Sequence, residues 1–157
     1  MEYVSTRGSV PSISSKKVII KGLAEDNGLY VPSEFPSIGP DPFSGKDQNS
    51  YAARAVKILQ PFLTDYSASD LRKASEAAYA KNFDSPSTAA VKFLGDGTAI
   101  LELWHGPTQA FKDMALQLMP RLLSLALRDE PEKYEVVILV ATSGDTGKAA
   151  LEGFADA

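Results

Sequence analysis

The chain has 157 residues, enough for one ordinary domain or two small ones, and its formal net charge of −4 argues against a nucleic-acid partner, which calls for a basic face. It contains no cysteine and a single histidine, which excludes disulfides and thiolate sites and leads us to predict no metal site. With no recognisable signal peptide and no apolar run near the ~20 residues of a membrane span, we expect a cytoplasmic protein without a membrane partner.

The first 46 residues are rich in proline and glycine and are expected to form short strands and turns. Val18, Ile19 and Ile20 make a short apolar run in this region. Asn27 and Gly28 are a turn signal, because both residues tolerate a positive φ angle. Residues 32–45 contain four prolines and predict an irregular surface connection.

Two amphipathic helices are predicted next. Residues 51–62 place apolar side chains at helical spacing, with Pro61 near the end of the helix. Residues 69–82 form the second helix, which Ser67 or Ser69 can cap. Apolar stripes of this kind are usually plain core, so we assign these helices a structural role.

The pattern changes near Gly95 to strand, loop, helix, strand, loop, helix, which is typical of a parallel α/β sheet. Residues 99–103 and 136–141 are the two predicted strands. The second is continuously apolar, as in a strand that is buried on both faces. The helix predicted between them, over residues 114–127, has Asp113 at its cap and Pro120 inside it, where we expect a kink.

The chain ends about three turns into the last predicted helix. Two parallel strands with their helices do not complete a doubly wound domain. We therefore interpret the chain as the N-terminal part of a longer, truncated protein. Its unfinished sheet is expected to leave the apolar residues 136–140 uncovered, which invites self-association.

Ligands of open α/β sheets bind beyond the carboxyl ends of the strands, where this sequence has two loops. The first, residues 105–113, ends in Phe111, Lys112 and Asp113. The positive end of a helix dipole disfavours a protonated amine, and a neutral amine is what Schiff-base chemistry needs. Lys112 is therefore a candidate nucleophile, although a lone lysine is more often a solvated surface residue. His105 is expected to be a structural hydrogen-bonding residue rather than a base.

The second loop, residues 142–147, is dense in small donors at a helix start and can bind a carboxylate or phosphate. An ordinary turn capped by Thr146 is an equally good interpretation. A phosphate-binding NTPase loop is disfavoured, because Thr142 stands where that motif needs Gly and Ala149 where it needs Ser or Thr.

Four segments of the chain, in order, resemble threonine synthases. Residues 101–113, L-E-L-W-H-G-P-T-Q-A-F-K-D, are similar to the family's L-E-L-F-H-G-P-T-x-A-F-K-D, and residues 141–147, A-T-S-G-D-T-G, match its second loop. Residues 3–8, Y-V-S-T-R-G, and residues 22–32, G-L-A-E-D-N-G-L-Y-V-P, resemble its N-terminal motifs. Trp104 for Phe and Asn27 for Gly are the visible departures, and both are mild.

The resemblance implies a small N-terminal α+β domain, residues 1–93, followed by the opening of a pyridoxal-phosphate (PLP) binding α/β domain, residues 94–157. It implies that Lys112 binds PLP covalently and shuttles protons, with Phe111 beside the cofactor. The implied substrate-binding residues are Thr142, Ser143, Gly144, Asp145 and Thr146.

The implied reaction converts O-phospho-L-homoserine and water to L-threonine and phosphate. A related PLP lyase such as a serine/threonine dehydratase, or a non-catalytic truncated module, are the alternatives. The family's Gly-rich phosphate loop lies in a later segment, so we expect this chain alone to be inactive and to hold PLP poorly.

Overall fold

The computed structural model describes residues 1–39, 50–133 and 135–155. The described residues form a mixed α/β structure, as predicted. In chain order the elements are β1 (Glu2–Ser5), β2 (Ile13–Ser14), α1 (Ser15–Lys21), β3 (Tyr30–Pro32), α2 (Tyr51–Leu59), α3 (Ala68–Tyr79), β4 (Ala90–Gly95), β5 (Thr98–Glu102), α4 (Asp113–Leu116), α5 (Met119–Arg128) and α6 (Asp145–Ala155).

The N-terminal strands form an antiparallel sheet in the order β2-β1-β3, so that Tyr3 on the central strand lies opposite Ile13 and Pro32. The predicted turn at Asn27 is confirmed, with a φ of 61°. Residues 33–39 are neither helix nor strand, as expected for the proline-rich connection, and residues 40–45 lie outside the described residues.

A hydroxyl–carboxylate pair, which we call the N-terminal clamp, fixes this sheet to the turn. Ser5 Oγ donates to Asp26 Oδ1 at 2.7 Å, and the same carboxylate accepts the Gly28 N–H at 3.0 Å and the Ser9 N–H at 3.0 Å. A side chain at Gly28 would collide with the Ser5 hydroxyl, so the clamp requires glycine there. The hydrogen bond from Ser5 is the main reason why the pKa of Asp26 is lowered.

The expectation of strands around Val18 is wrong, because this apolar run lies in α1. The start of that helix is held by Asp65, whose carboxylate accepts the Lys16 N–H at 2.9 Å and the Ser15 hydroxyl. Ile19 and Ile20 can then pack together against the core, which a strand would prevent by placing them on opposite faces.

The core lies among α2, α3 and α5, with α1 packed against α5. Leu71, Ala78 and Ala126 are fully buried there. Ser67 caps α3 by accepting the Asp70 N–H, which confirms one of the two predicted caps. The side chains of this core are Ala52, Leu63, Tyr66, Leu71, Ala74, Ala78, Tyr79, Leu118, Leu122 and Ala126.

The predicted kink at Pro120 is confirmed, and it breaks the expected helix into α4 and α5. Proline has no N–H to donate and fits the first turn of a helix, so α5 begins beside it. The helix of residues 69–82 ends earlier than expected, at Tyr79, and that of residues 51–62 ends at Leu59.

Residues 90–102 form an antiparallel hairpin, in which Val91 lies opposite Leu101. The sequence predicted β5 as a member of a parallel sheet but did not predict β4. The boundary expected after residue 93 falls inside β4, and the division into two domains stays a prediction.

The prediction of a strand over residues 136–141, buried on both faces, is wrong for the described residues. That segment has no strand pairing, and Val137 and Leu139 are 79% and 93% exposed. A strand exists only through its hydrogen-bonded neighbours, and none lies beside this segment in the described part of the chain. The expected uncovered apolar surface is therefore present.

Candidate functional site

The loop before α4 is closed by a second hydroxyl–carboxylate pair, which we call the lysine-loop clamp. Asp113 accepts the Thr108 N–H at 2.8 Å and the Thr108 hydroxyl at 2.7 Å. The Asp113 side chain is fully buried. The prediction that Asp113 caps the helix is therefore wrong, because its carboxylate turns back to the loop instead of binding the first amides of α4.

Gly106 is required by this clamp. A methyl group there would lie 2.5 Å from Asp113 Oδ2, so the backbone of the loop passes directly over the carboxylate. Gln109 takes a φ of 58° to complete the turn, a conformation that costs an ordinary residue about 1–2 kcal/mol. The Gln109 N–H also bonds the Gly106 carbonyl at 3.0 Å. The loop thus adopts one strained, tightly bonded shape.

Lys112 stands where this loop enters α4. Its Nζ lies 4.1 Å from the centroid of the Phe111 ring, and the lysine is half-buried while Phe111 is 59% exposed. Within the described ranges no carboxylate pairs with the Lys112 amine. The Lys112 amine thus lies against the ring of its neighbour Phe111, and the roles of both residues at a cofactor stay a prediction.

His105 opens the loop and is anchored by two carboxylates. Its Nδ1 lies 2.5 Å from Asp84 and its Nε2 2.9 Å from Glu102. These hydrogen bonds, the one to Glu102 first, raise the pKa of His105. The expected structural role of this histidine agrees with that geometry, since both ring nitrogens are occupied.

The second loop lies open to solvent before α6. All five residues predicted to bind substrate are exposed. Thr142 Oγ1 accepts the Gly144 N–H at 3.3 Å, and Asp145 pairs with Lys148 at 3.3 Å. The loop is thus a turn that presents Ser143 and Thr146 outward, which is compatible with anion binding.

The two loops precede two helices that pack together. The backbone of Gly153 in α6 lies against the Leu116 carbonyl in α4. Tyr79 also holds α4 by donating its hydroxyl to the Met114 carbonyl at 2.8 Å. Among the described residues, no side chain of residues 142–146 hydrogen-bonds Lys112, so their joint action stays a prediction.

Sequence reasoning missed the partners that hold the loop. Thr108 was not singled out, and neither Asp84 nor Glu102 was connected with His105. The spacing of Gly106, Thr108 and Asp113 carries a signal, since a threonine five residues before an aspartate can close a tight loop. Asp84 lies 21 residues from His105 in sequence, and no local pattern identifies it.

Other kinds of site are not found in the described part of the chain. No helix there has the length and apolar character to cross a bilayer. No group of three or more histidine, aspartate and glutamate side chains is placed there to hold a metal ion.

The chain matches a family model described as "Threonine synthase N terminus" over residues 2–79. It is 42% identical to a threonine synthase of Pseudomonas aeruginosa over 98% of this chain and 32% of that protein. It is 39% identical to human threonine synthase-like 1 over 97% of this chain and 22% of that protein. A crystal structure of PLP-bound threonine synthase from Brucella melitensis superposes with a TM-score of 0.89 at 38% identity, covering 98% of this chain and 33% of that one. The chain therefore spans about a third of the length of the first curated relatives that it matches.

Proposed function

This chain belongs to the threonine synthase family, and from that premise we propose that the full-length protein converts O-phospho-L-homoserine and water to L-threonine and phosphate with PLP as cofactor. Residues 2–79 match the model of that family's N terminus, and the later residues carry the proposed anchor. The proposal depends above all on one observation: the amine of Lys112 stands in a fixed loop beside Phe111, and no carboxylate of the described residues pairs with it.

The residues present fit a PLP anchor. A covalent bond to an aldehyde needs an accessible amine that no carboxylate holds, and Lys112 meets this condition within the described residues. The half-exposed ring of Phe111 adds an apolar surface beside it. When bound, PLP would supply an electron sink for the cleavage of carbon–hydrogen bonds.

The chain's own residues would supply binding and proton transfer. Lys112 Nζ would accept protons from the substrate carbons and return them. The exposed donors of Ser143 and Thr146, at the start of α6, would bind the substrate carboxylate. Phe111 would exclude water from one side of the amine.

A second candidate is a PLP lyase with a different substrate. The similarity to human threonine synthase-like 1 favours it, because that protein is named only as similar to a synthase. The two candidates share the Lys112 anchor and differ in the reaction, so a substrate assay separates them.

Borohydride trapping tests the anchor. The full-length protein is incubated with PLP, reduced and digested, and we expect the stable label on Lys112 and its loss in Lys112→Ala. Lys92→Ala, an exposed lysine of β4, is the control and should keep the label. Phosphate release from O-phosphohomoserine then tests the reaction. A label that persists in Lys112→Ala would disprove the anchor, while a labelled protein that releases no phosphate would favour the second candidate.

The 157-residue chain by itself is proposed to bind PLP weakly and to be inactive. The proposed anchor is present, but no Gly-rich phosphate loop of the kind expected from the resemblance occurs in this sequence. Absorbance titration with PLP tests this, and stoichiometric tight binding by this chain would contradict it.

A further inference from the structure

The Asp113 carboxylate is an unusual means of closing a short loop. It is fully buried, and within the described residues both of its hydrogen-bond donors are neutral groups of Thr108. Burying a carboxylate without a cation is costly, even when hydrogen bonds compensate in part. A turn of this length can form without a buried charge, which suggests that the clamp has a purpose beyond closing the chain.

The clamp holds the backbone on both sides of Lys112. Asp113, the next residue, is fixed by Thr108, and its own N–H bonds the Ala110 carbonyl at 3.0 Å. The Lys112 carbonyl accepts the N–H groups of Ala115 at 3.1 Å and Leu116 at 2.9 Å. Lys112 therefore has a fixed backbone, and only its side chain is free to move.

We infer that Thr108 and Asp113 are positioning residues, which present the Lys112 amine to the PLP aldehyde by fixing the backbone on which it stands. This inference rests on the proposed function of Lys112. A preorganised anchor loses less conformational freedom when the covalent bond forms, so it binds more tightly. Neither Thr108 nor Asp113 needs to contact the cofactor.

The chain contains a matched control for this clamp. The N-terminal clamp has the same construction: a hydroxyl donates to a carboxylate at 2.7 Å, the carboxylate accepts backbone N–H groups, and a glycine leaves room for the pair. Ser5 is buried, as Asp113 is. The N-terminal clamp holds the turn at Asn27, and among the described residues none of its hydrogen bonds reaches the lysine loop. Ser5→Ala therefore removes the same kind of bond from a place where PLP affinity should not depend on it.

In the first experiment, bound PLP is removed from the full-length protein. The affinity of the protein for added PLP is then measured by absorbance. Thr108→Val keeps the shape of the side chain but removes the hydroxyl, and we expect its Kd for PLP to rise about ten- to a hundredfold. Thr108→Ser restores the hydroxyl and should return the Kd to within about threefold. Ser5→Ala should lower the thermal midpoint as Thr108→Val does and leave the Kd unchanged. Borohydride trapping with peptide mapping is run in parallel on each protein.

These outcomes separate the two proposals. A label on another lysine in the unmodified protein would overturn the function proposed for Lys112, and this inference with it. A label on Lys112 together with equal PLP affinity in Thr108→Val would overturn the positioning role alone. The positioning role would also be overturned if Ser5→Ala weakened PLP binding as much as Thr108→Val, because the effect would then be general destabilisation.

A second measurement needs no variant and decides the matter if Thr108→Val does not fold. If the clamp favours PLP binding, PLP must favour the clamp by the same free energy. Hydrogen exchange at the Thr108 N–H should therefore slow when PLP is added, while exchange at the Gly28 N–H in the N-terminal clamp should not change. Equal exchange of the Thr108 N–H with and without PLP would overturn the inference.

Discussion

The backbone of Gly153 lies directly against the carbonyl oxygen of Leu116, and this close approach joins the helix after the second loop to the helix after the lysine loop. A side chain at Gly153 would collide with that oxygen, and would also lie 3.4 Å from Pro120 Cγ. The relative position of the two candidate loops therefore depends on one glycine.

Gly153→Ala is expected to destabilise the protein by about 1–3 kcal/mol, because the added methyl group forces α6 away from α4. Helix propensity alone would have the opposite sign, since alanine is favoured over glycine inside a helix by about 1 kcal/mol. Denaturant unfolding followed by circular dichroism measures the change. Leu151→Ala, at a position that is 65% exposed, serves as the control. A stabilised Gly153→Ala protein would show that the helices do not approach this closely.

His105→Asn is expected to destabilise the protein most below about pH 6.5 and progressively less above it. Asp84 and Glu102 raise the pKa of His105 in the folded state. The stabilisation is therefore complete below the unfolded pKa and is lost as the pH rises through the folded pKa. Urea unfolding of the unmodified protein and of His105→Asn, at pH 6 and at pH 9, gives the loss of unfolding free energy at each pH. Equal differences at both pH values would mean that the protonated histidine is not what stabilises the fold.

Asp65→Asn tests the attachment of α1. Burial would raise the pKa of Asp65, but hydrogen bonds from the Ser15 hydroxyl and the Lys16 N–H lower it. Its stabilisation is thus present above the unfolded pKa of about 3.9 and is lost as the pH falls through the lowered folded pKa. At pH 7 we expect a loss of about 1 kcal/mol, a value kept small because solvent screens this partly exposed group. A thermal midpoint difference that grows as the pH falls below 4 would contradict this account.

Asn27→Val is expected to cost about 1–2 kcal/mol, because a branched side chain is strained at a φ of 61°. Asn27→Gly should have little effect, because glycine adopts this φ without a steric cost. Thermal unfolding of both variants measures the difference. If both variants lost the same stability, the loss would come from removing the asparagine side chain and not from backbone strain.

Ser143→Ala and Asp145→Ala, made in the full-length protein, are expected to impair the use of substrate more than the binding of PLP. Each should lower kcat/KM about ten- to a hundredfold, the usual effect of losing one charge-assisted contact. The reason is that these side chains are exposed on the second loop, whereas the proposed covalent anchor is Lys112. Glu152→Ala, at an exposed position later in α6, is the control and should leave the kinetics unchanged. Unchanged kinetics in both variants would show that the loop is an ordinary turn without a role in substrate binding.

The sequence predicted features whose causes are local. The break at Pro120, the turn at Asn27 and the cap at Ser67 follow from the chemistry of single residues, and all three are confirmed. The lysine loop was located by its motif, but the clamp from Thr108 to Asp113 was mistaken for a helix cap, because both interactions place an aspartate at a helix start.

Features that depend on distant partners could not be predicted in this way. The run at Val18 is helical because Asp65, some fifty residues away, holds the start of α1. Residues 136–141 have the composition of a buried strand, but composition does not supply the neighbouring strands that would pair with them. Pairing across a sheet is a property of the assembled chain and leaves no mark within one segment.

The packing of α1 against α5 also affects the order of events while the chain is being made. Lys17 in α1 pairs with Glu130 beyond the end of α5, and the two residues are 113 positions apart. At translation rates of about 5–20 residues per second, α1 leaves the ribosome roughly 6–23 s before that partner exists. During this interval Ile19 and Ile20 lack the surface of α5 against which α1 packs, so part of their apolar area stays uncovered until α5 has been made.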